Sequence, residues 1–209
     1  MKDNEKFIIG KKIGMTQIFD EEGNRISVTV IEAGPCVIVQ KKNVKKEGYD
    51  ALQIGFEARK VKNLSKPIQG HLASHKIDAK LKIFKEFKVK DISKYNEGDL
   101  INVNVFQEND VVDIHGVSIG KGFQGTVKRW HFNVGPMAHG SKNHRIPGSI
   151  GAGSGQSRVL KGKKMYGHMG DRNVTVKRIK IVKIMPEDNV ILVMGSVPGK
   201  KNSVVTVTA

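Results

Sequence analysis

Cysteine is nearly absent from this sequence, and no apolar run is long enough to cross a membrane. The single cysteine, Cys36, rules out an internal disulfide framework and a zinc site built on cysteines, and its apolar neighbours predict a buried thiol. Because no run of about 18 apolar residues occurs, a membrane-spanning helix is excluded. The opening residues Met1–Lys6 are polar and include two acids, so we expect neither a secretory signal nor a transit peptide. These absences favour a protein of the reducing cytoplasm.

Acidic residues are missing from one long internal stretch. From Ile114 to Gly170, 57 residues contain no aspartate or glutamate, although the chain has 20 acids in 209 residues and a net charge of +16. The stretch also holds 13 of the 23 glycines, five of the seven histidines, and nine basic residues: Lys121, Lys128, Arg129, Lys142, Arg145, Arg158, Lys161, Lys163 and Lys164. It cannot pair its charges internally, and its glycines make ordering costly in entropy. We therefore expect a polyanion outside the chain as its partner.

Both ends of the chain favour β-structure. Arg25–Ile31 alternates apolar and polar residues, and Val174–Ile181 does so with a phase slip at Lys177-Arg178 that predicts a bulge. Further strands are predicted over Phe7–Ile9 continued by Thr16–Phe19, Cys36–Gln40, Ala51–Phe56, Ile83–Val89, Leu100–Val105, Val111–Val117, Val190–Met194 and Val204–Thr208. A basic exposed turn is predicted at Lys41, Lys42, Lys45 and Lys46. Many short strands separated by turns favour a closed barrel.

The predicted organisation is one mostly β domain with a long irregular central extension and a short helical insertion. The β-barrel body comprises residues 1–122 and 166–209, the insertion residues 60–80, and the extended loop residues 123–165. In the insertion we expect Ser65 to cap a helix that has Pro67 in its first turn and ends near Lys76. A loop as long as the central extension is uncommon in a compact domain and usually indicates function or disorder.

One glycine motif suggests nucleotide binding, but its context does not support that function. Gly120–Val127 matches G-x-G-x-x-G-x-V, the glycine loop of protein kinases. The chain that follows is too short for a kinase large lobe and lacks D-F-G and H-R-D. A dinucleotide site is excluded because no helix pattern follows Gly125 and the required acid would fall in the acid-free stretch. We expect these glycines to let the backbone lie close to RNA.

Metal binding and catalysis are also disfavoured. His139 and His144 are five residues apart and His131 and His168 lie further off, but the stretch offers no cysteine or carboxylate to complete a metal site. Nucleophilic catalysis lacks an orienting carboxylate there. We expect no metal, no cofactor, no small-molecule substrate and no enzymatic activity, and we expect the histidines to supply neutral donors and flat stacking faces.

The remaining features favour nucleic-acid binding. Val127–Phe132 places two cations beside three aromatic rings, which suits neutralised phosphates and stacked, unpaired bases. The alternative is that Trp130 and Phe132 form a small satellite core beside solvated cations. Lys161–Lys164 adds three charges in four residues. A DNA-compacting or membrane-surface protein is the competing class, but neither a recognition helix nor a basic amphipathic helix is visible.

Several ordered motifs of the chain resemble the large-subunit ribosomal protein L3 family, known as uL3. They are Gly10–Phe19, Gly120–Trp130, His144–Gly151 and Lys161–Met165, with shorter strings at Lys66–His71 and Val197–Gly199. The resemblance runs from end to end of the chain, which makes it more specific than any single motif, and the length resembles that of the bacterial members.

The resemblance implies a translation-protein-type closed β-barrel on the ribosome surface, with an extension threading through 23S-type rRNA toward the peptidyl transferase centre. It also implies a non-enzymatic cytoplasmic protein that acts early in subunit assembly and contacts large-subunit rRNA and neighbouring ribosomal proteins, but no membrane. The expected rRNA-binding residues are Lys121, Lys128, Arg129, Trp130, His131, His139, Lys142, His144, Arg145, Arg158, Lys161, Lys163, Lys164 and Arg172. Some bacterial members carry a methylated glutamine after the G-S-I-G string. Here Ala152–Gly155 follows that string and glutamine comes only at Gln156, which departs from the pattern.

Overall fold

The structure is a computed structural model that describes residues 6–58, 64–153, 155 and 157–209. The predictions made for residues 1–5, for residues 60–63 of the helical insertion and for Gln156 fall outside these described residues. The strands are β1 Phe7–Phe19, β2 Arg25–Ala33, β3 Cys36–Lys42, β4 Ala51–Ala58, β5 Leu81–Phe87, β6 Leu100–Ile101, β7 Val111–Val117, β8 Gly122–Gln124, β9 Gly167–Met169, β10 Asn173–Met185, β11 Val190–Met194 and β12 Val204–Thr208. Helices are α1 Val44–Glu47, α2 Lys66–Ser74 and α3 Thr126–Trp130.

The mostly β fold with a closed barrel is confirmed. Six strands close the barrel in the order β1-β12-β7-β10-β11-β2, and β2 pairs with β1. All of these pairs are antiparallel, which brings the two ends of the chain together through Ile9 opposite Thr206. Gly10 has no room for a side chain, because a Cβ there would lie 2.6 Å from Ile31 Cγ2. Since a closed sheet leaves no unpaired edge, the barrel itself is protected against edge-to-edge association.

The predicted bulge in β10 is confirmed. The pairing of β10 with β7 shifts register between Val176 and Ile179, and Arg178 has a φ of 57°. The Arg178 amide, which the bulge removes from the ladder, donates to Asp113 Oδ1 at 2.9 Å. A carboxylate on the neighbouring strand therefore satisfies the group that the bulge leaves unpaired.

A second sheet, in the order β5-β4-β3-β6, shares the core of the barrel. Phe7 of β1 stacks on Phe87 of β5 with ring centroids 5.0 Å apart. Cys36 is fully buried in this core, as predicted, and burial raises the pKa of its thiol to about 12. That thiol is therefore a packing group in its neutral form at physiological pH.

The helix α2 confirms the predicted helix with Pro67 in its first turn, but the side chain of Ser65 does not cap it. Ser65 occupies the N-cap position and its carbonyl accepts the first helical hydrogen bond from Gln69 N at 3.1 Å, but its side chain accepts no capping hydrogen bond. Pro67 stands at the second helical position and has no N–H, which removes one of the two amides from which a serine hydroxyl at this position can accept.

Two local predictions were wrong. Leu100–Val105 is not one strand: β6 ends at Ile101 and Val103–Val105 forms a 3-10 turn. The turn buries both Val103 and Phe106, three residues apart, whereas alternation would have buried Val105. The predicted basic turn was wrong for its first two lysines, because β3 continues to Lys42, whose ammonium pairs with Glu86 at 2.6 Å.

No helix in the described ranges is long and apolar enough to span a membrane.

The chain divides into two compact units, one comprising Met1–Val117 with Asn173–Ala209 and the other Ser118–Arg172. The first unit, the body, contains the barrel, the second sheet and α2. The second contains β8, α3 and β9.

We predict that the barrel core dominates the stability of the body. Ile114→Ala in β7 removes a fully buried side chain and should lower the free energy of unfolding by about 2–5 kcal/mol. Val111→Ala in the same strand removes a side chain that is 59% exposed and should cost well under ~1 kcal/mol. Urea unfolding followed by circular dichroism measures both, and equal losses would contradict the assigned core.

Candidate nucleic-acid interface

The unit Ser118–Arg172 is rooted on a two-stranded antiparallel ribbon. In this ribbon β8 pairs with β9, so that Gly122 faces Met169, Phe123 faces His168 and Gln124 faces Gly167. Before β8 and after β9, Ser118 N donates to the Arg172 carbonyl at 2.9 Å, which continues the pairing of the two segments. The ribbon therefore holds together the outgoing arm, which follows β8, and the returning arm, which precedes β9.

A single helical turn follows the ribbon on the outgoing arm. The turn is α3, in which Arg129 N donates to the Gly125 carbonyl at 2.9 Å and which ends at His131 with a φ of 60°. The sequence shows no helix pattern after Gly125, yet one helical turn forms there. One turn is too short to produce an amphipathic sequence pattern, and it is also too short to be the helix of a dinucleotide-binding unit.

One carbonyl on the returning arm binds two side chains of the outgoing arm. Arg129 Nη1 and Trp130 Nε1 each donate to the Met165 carbonyl at 2.9 Å. Two cations also lie over the indole ring: Arg129 Cζ is 5.0 Å and Lys164 Nζ 5.8 Å from its centroid. We call Arg129, Trp130, Lys164 and Met165 the clasp, because together they join the two arms where they leave the ribbon.

The clasp requires a glycine at position 167. A Cβ on Gly167 would lie 2.5 Å from Arg129 Nη1 and would displace the guanidinium from the Met165 carbonyl. The clasp also defines the role of Trp130, which is 37% exposed and belongs to neither buried hydrophobic cluster. Its indole N–H is hydrogen-bonded within the protein, and the rest of the ring remains partly exposed to solvent.

Beyond the clasp, the chain makes mostly local contacts. Gly135 N donates to the His144 carbonyl at 2.8 Å, and His144 Nδ1 lies 2.8 Å from the Pro136 carbonyl. Since a carbonyl only accepts, Nδ1 carries the proton and this histidine closes the loop of residues 135–144. His144 is therefore partly engaged in structure, whereas the flanking Lys142 and Arg145 are exposed.

The basic side chains of this unit point into solvent without acidic partners. Eight of the nine lysines and arginines of the acid-free stretch are exposed, and Arg129 is half-buried in the clasp. Within the described part of Ser118–Arg172, no lysine or arginine forms an ion pair with a carboxylate. The excess positive charge of this unit is thus uncompensated within its described residues.

Basic residues of the body behave differently. Lys6 Nζ lies 2.6 Å from Asp110 Oδ2, and this hydrogen bond lowers the pKa of the Asp110 carboxyl. Lys82 and Lys11 both reach Glu57, at 2.8 and 3.2 Å, and the hydrogen bond from Lys82 is the larger cause of its lowered pKa. Several carboxylates of the body are therefore paired with lysines, whereas the lysines and arginines of the Ser118–Arg172 unit form no ion pair among the described residues.

Only three of the predicted rRNA-binding residues are brought into mutual contact, and these are Arg129, Trp130 and Lys164 of the clasp. The others are distributed along both arms and the loop between them, and no hydrogen bond or ion pair joins them among the described residues: Lys121, Lys128, His131, His139, Lys142, His144, Arg145, Arg158, Lys161, Lys163 and Arg172. Within the described residues, no three His, Cys, Asp or Glu side chains are placed to hold a metal ion. The arrangement suits a long anionic partner that touches many separate points.

The apolar surface of this unit was not predicted from the sequence. Phe123 is 75% exposed, more than any other large apolar side chain of the described chain. Other exposed apolar side chains of the unit are Ile119, Val134, Met137, Ile146, Ile150, Val159, Leu160 and Tyr166. The sequence does contain a sign of this surface, because these apolar residues occur in a stretch without strand or helix periodicity. Such a stretch forms no regular face on which they could be buried.

Comparison with known proteins gives one consistent family. A family model described as ribosomal protein L3 matches residues 92–189. The chain is also 50% identical over 200 residues to the large ribosomal subunit protein uL3 of Geotalea daltonii, an alignment that covers 96% of this chain and 94% of that protein.

We predict that Trp130 matters more for RNA binding than for folding. Trp130→Ala removes one of the two donors to the Met165 carbonyl and the ring between two cations, all within the Ser118–Arg172 unit. Affinity for large-subunit rRNA should fall about ten-fold, while the thermal midpoint of the body should stay nearly unchanged. Binding titrations and calorimetry measure the two effects. A large loss of thermal stability with normal RNA affinity would instead support the satellite-core alternative.

Proposed function

The chain belongs to the ribosomal protein L3 family, and from this premise we propose that it binds 23S-type rRNA through its Ser118–Arg172 unit. As a family member it is a structural, non-enzymatic constituent of the large ribosomal subunit, located in the ribosome in the cytoplasm. The proposal extends to an early role in subunit assembly and to an extension, residues 123–165, that reaches toward the peptidyl transferase centre.

The observation that carries the proposal is the uncompensated positive charge of this unit. Its exposed lysines and arginines have no carboxylate partners among the described residues of the unit. Each phosphate that such a cation neutralises releases condensed counterions, and this release drives association with RNA. Folded RNA supplies closely spaced phosphates over a long path, which matches cations distributed along two arms and a loop.

Positioning of the unit comes from the ribbon and the clasp. Hydrogen bonds across β8 and β9, and two to the Met165 carbonyl, set where the arms begin. Beyond the clasp, glycines allow the backbone to approach RNA closely. The hydrogen bonds there join residues near in sequence, such as Gly135 N to the His144 carbonyl. We infer that the root is organised before RNA arrives and that RNA then orders the remainder, with backbone and shape contacts dominating over base-specific ones.

The finer parts of the proposal rest on the family resemblance. Arg145–Gly151, which the family resemblance implies lies near the tip of the extension, is exposed at every residue except Pro147. An exposed tip with no apolar core of its own suits a segment that passes between RNA helices. The body, which has a complete core, is proposed to meet neighbouring large-subunit proteins.

We predict a steep dependence of RNA affinity on salt that originates in the Ser118–Arg172 unit. If all nine basic residues of the acid-free stretch engaged phosphates, the log-log slope from this part would reach about −6 to −8. Replacing Lys161, Lys163 and Lys164 by glutamine should reduce the slope magnitude by up to about 2 to 3. Titration of large-subunit rRNA over a series of potassium chloride concentrations measures the slope.

The matched control is glutamine at Lys45, Lys46 and Lys80, three exposed lysines of the body. This control removes the same charge and should leave the slope nearly unchanged. Equal effects of the two triple variants would contradict the assignment of binding to the Ser118–Arg172 unit. Equal affinity for duplex DNA or anionic vesicles at matched salt would favour the competing DNA-compacting or membrane-surface classes.

A further inference from the structure

The ribbon of β8 and β9 has one covered face and one bare face. On the covered face, the Arg129 guanidinium packs over Gly167. Side chains of successive strand residues alternate between faces, so the neighbours of Gly167 in the chain, Tyr166 and His168, lie on the opposite side. Phe123 stands directly across from His168 and shares that side with it.

Three ring side chains therefore occupy the bare face. Continuing the register of β8 and β9 by one residue places Tyr166 across from Gly125, and a Cβ placed on Gly125 would meet Tyr166 Cδ1 at 4.0 Å, which agrees with a shared face. Phe123 is 75% exposed, Tyr166 is 44% exposed and His168 is also exposed. We call Phe123, Tyr166 and His168 the aromatic face.

Folding of the unit does not account for the aromatic face. A phenylalanine that keeps three quarters of its surface in water contributes little to stability, because hydrophobic stabilisation scales with the area removed from water. The ribbon's backbone pairing also requires no aromatic residue at these positions. The rings are consequently available to a partner.

We propose that the aromatic face is a stacking site for unpaired RNA bases, and this inference rests on the proposed function. Exposed Lys121 and Lys164 flank the rings along the chain, and the stretch from Ile114 to Gly170 has no acid to repel phosphate. Unpaired bases present flat π-surfaces that stack on Phe, Tyr and His, whereas bases within a duplex are already stacked on each other. Single-stranded RNA carries both phosphates and unpaired bases, so it matches both the positive charge and the aromatic rings of this surface.

The test uses the full chain and a single-stranded RNA of about twelve nucleotides that carries the fluorescent adenine analogue 2-aminopurine near its centre. Phe123→Leu and Tyr166→Leu each remove a ring but keep an apolar side chain. Each should weaken binding of this RNA about ten-fold and reduce the quenching of the analogue. Phe123→Trp, which keeps an aromatic ring, should retain both the wild-type affinity and the quenching of the analogue. Ile119→Ala, which trims an exposed apolar side chain without a ring, is the matched control and should change neither.

Two further readouts separate this site from the charge of the unit. The leucine variants should bind an RNA duplex of the same nucleotide sequence with wild-type affinity, and the salt dependence of their RNA binding should be unchanged. Wild-type affinity for the single strand in both leucine variants, or an equal loss for single strand and duplex, would overturn the stacking site. Loss of binding to another ribosomal protein with normal RNA affinity would overturn it in favour of a protein contact. A flat salt slope for the wild-type chain would instead defeat the proposed function itself.

Discussion

Positive charge without an internal counter-charge is the constraint on which the rest of this structure depends. In the body, lysines meet carboxylates, as Lys6 meets Asp110 at 2.6 Å and Lys42 meets Glu86 at 2.6 Å. In the Ser118–Arg172 unit, whose single acid is Asp171, the lysines and arginines form no ion pair with a carboxylate among the described residues. Repulsion among these cations disfavours a compact arrangement of the unit on its own, and a polyanion removes that cost. The shortage of acids in this unit thus connects the sequence to the RNA-dependent conformation that we propose.

Hydrogen bonds to neutral backbone carbonyls do the positioning that ion pairs cannot do in such a unit. The ribbon uses backbone hydrogen bonds, and the clasp directs one guanidinium and one indole N–H to a single carbonyl, that of Met165. A backbone carbonyl is a suitable acceptor here because it attracts donors without neutralising the charge that RNA requires. The arms are therefore held at their root while nearly all basic side chains stay exposed.

Regular pairing could be predicted from the sequence, and contacts between distant residues could not. β7, β11 and β12 have the predicted bounds, and the bulge at Arg178 follows from the phase slip, because alternation directly encodes which residues face the core. The 3-10 turn at Val103–Val105 was missed because burial of Phe106 decided between two locally acceptable conformations. In the candidate interface, the nine cations were evident from composition. The clasp depends on a backbone carbonyl 35 residues from Trp130, and the aromatic face on the register of Phe123 with His168, neither of which a linear pattern contains.

Hydrogen exchange of the chain with and without large-subunit rRNA tests the central claim most directly. In the free protein, amides of residues 132–153 should exchange far faster than those of β1 and β10, because they lie beyond the clasp in a positively charged segment with few long-range hydrogen bonds. Added rRNA should slow their exchange markedly and leave the barrel strands nearly unchanged. Barrel-like protection of residues 132–153 in the free protein, unaltered by rRNA, would contradict the account.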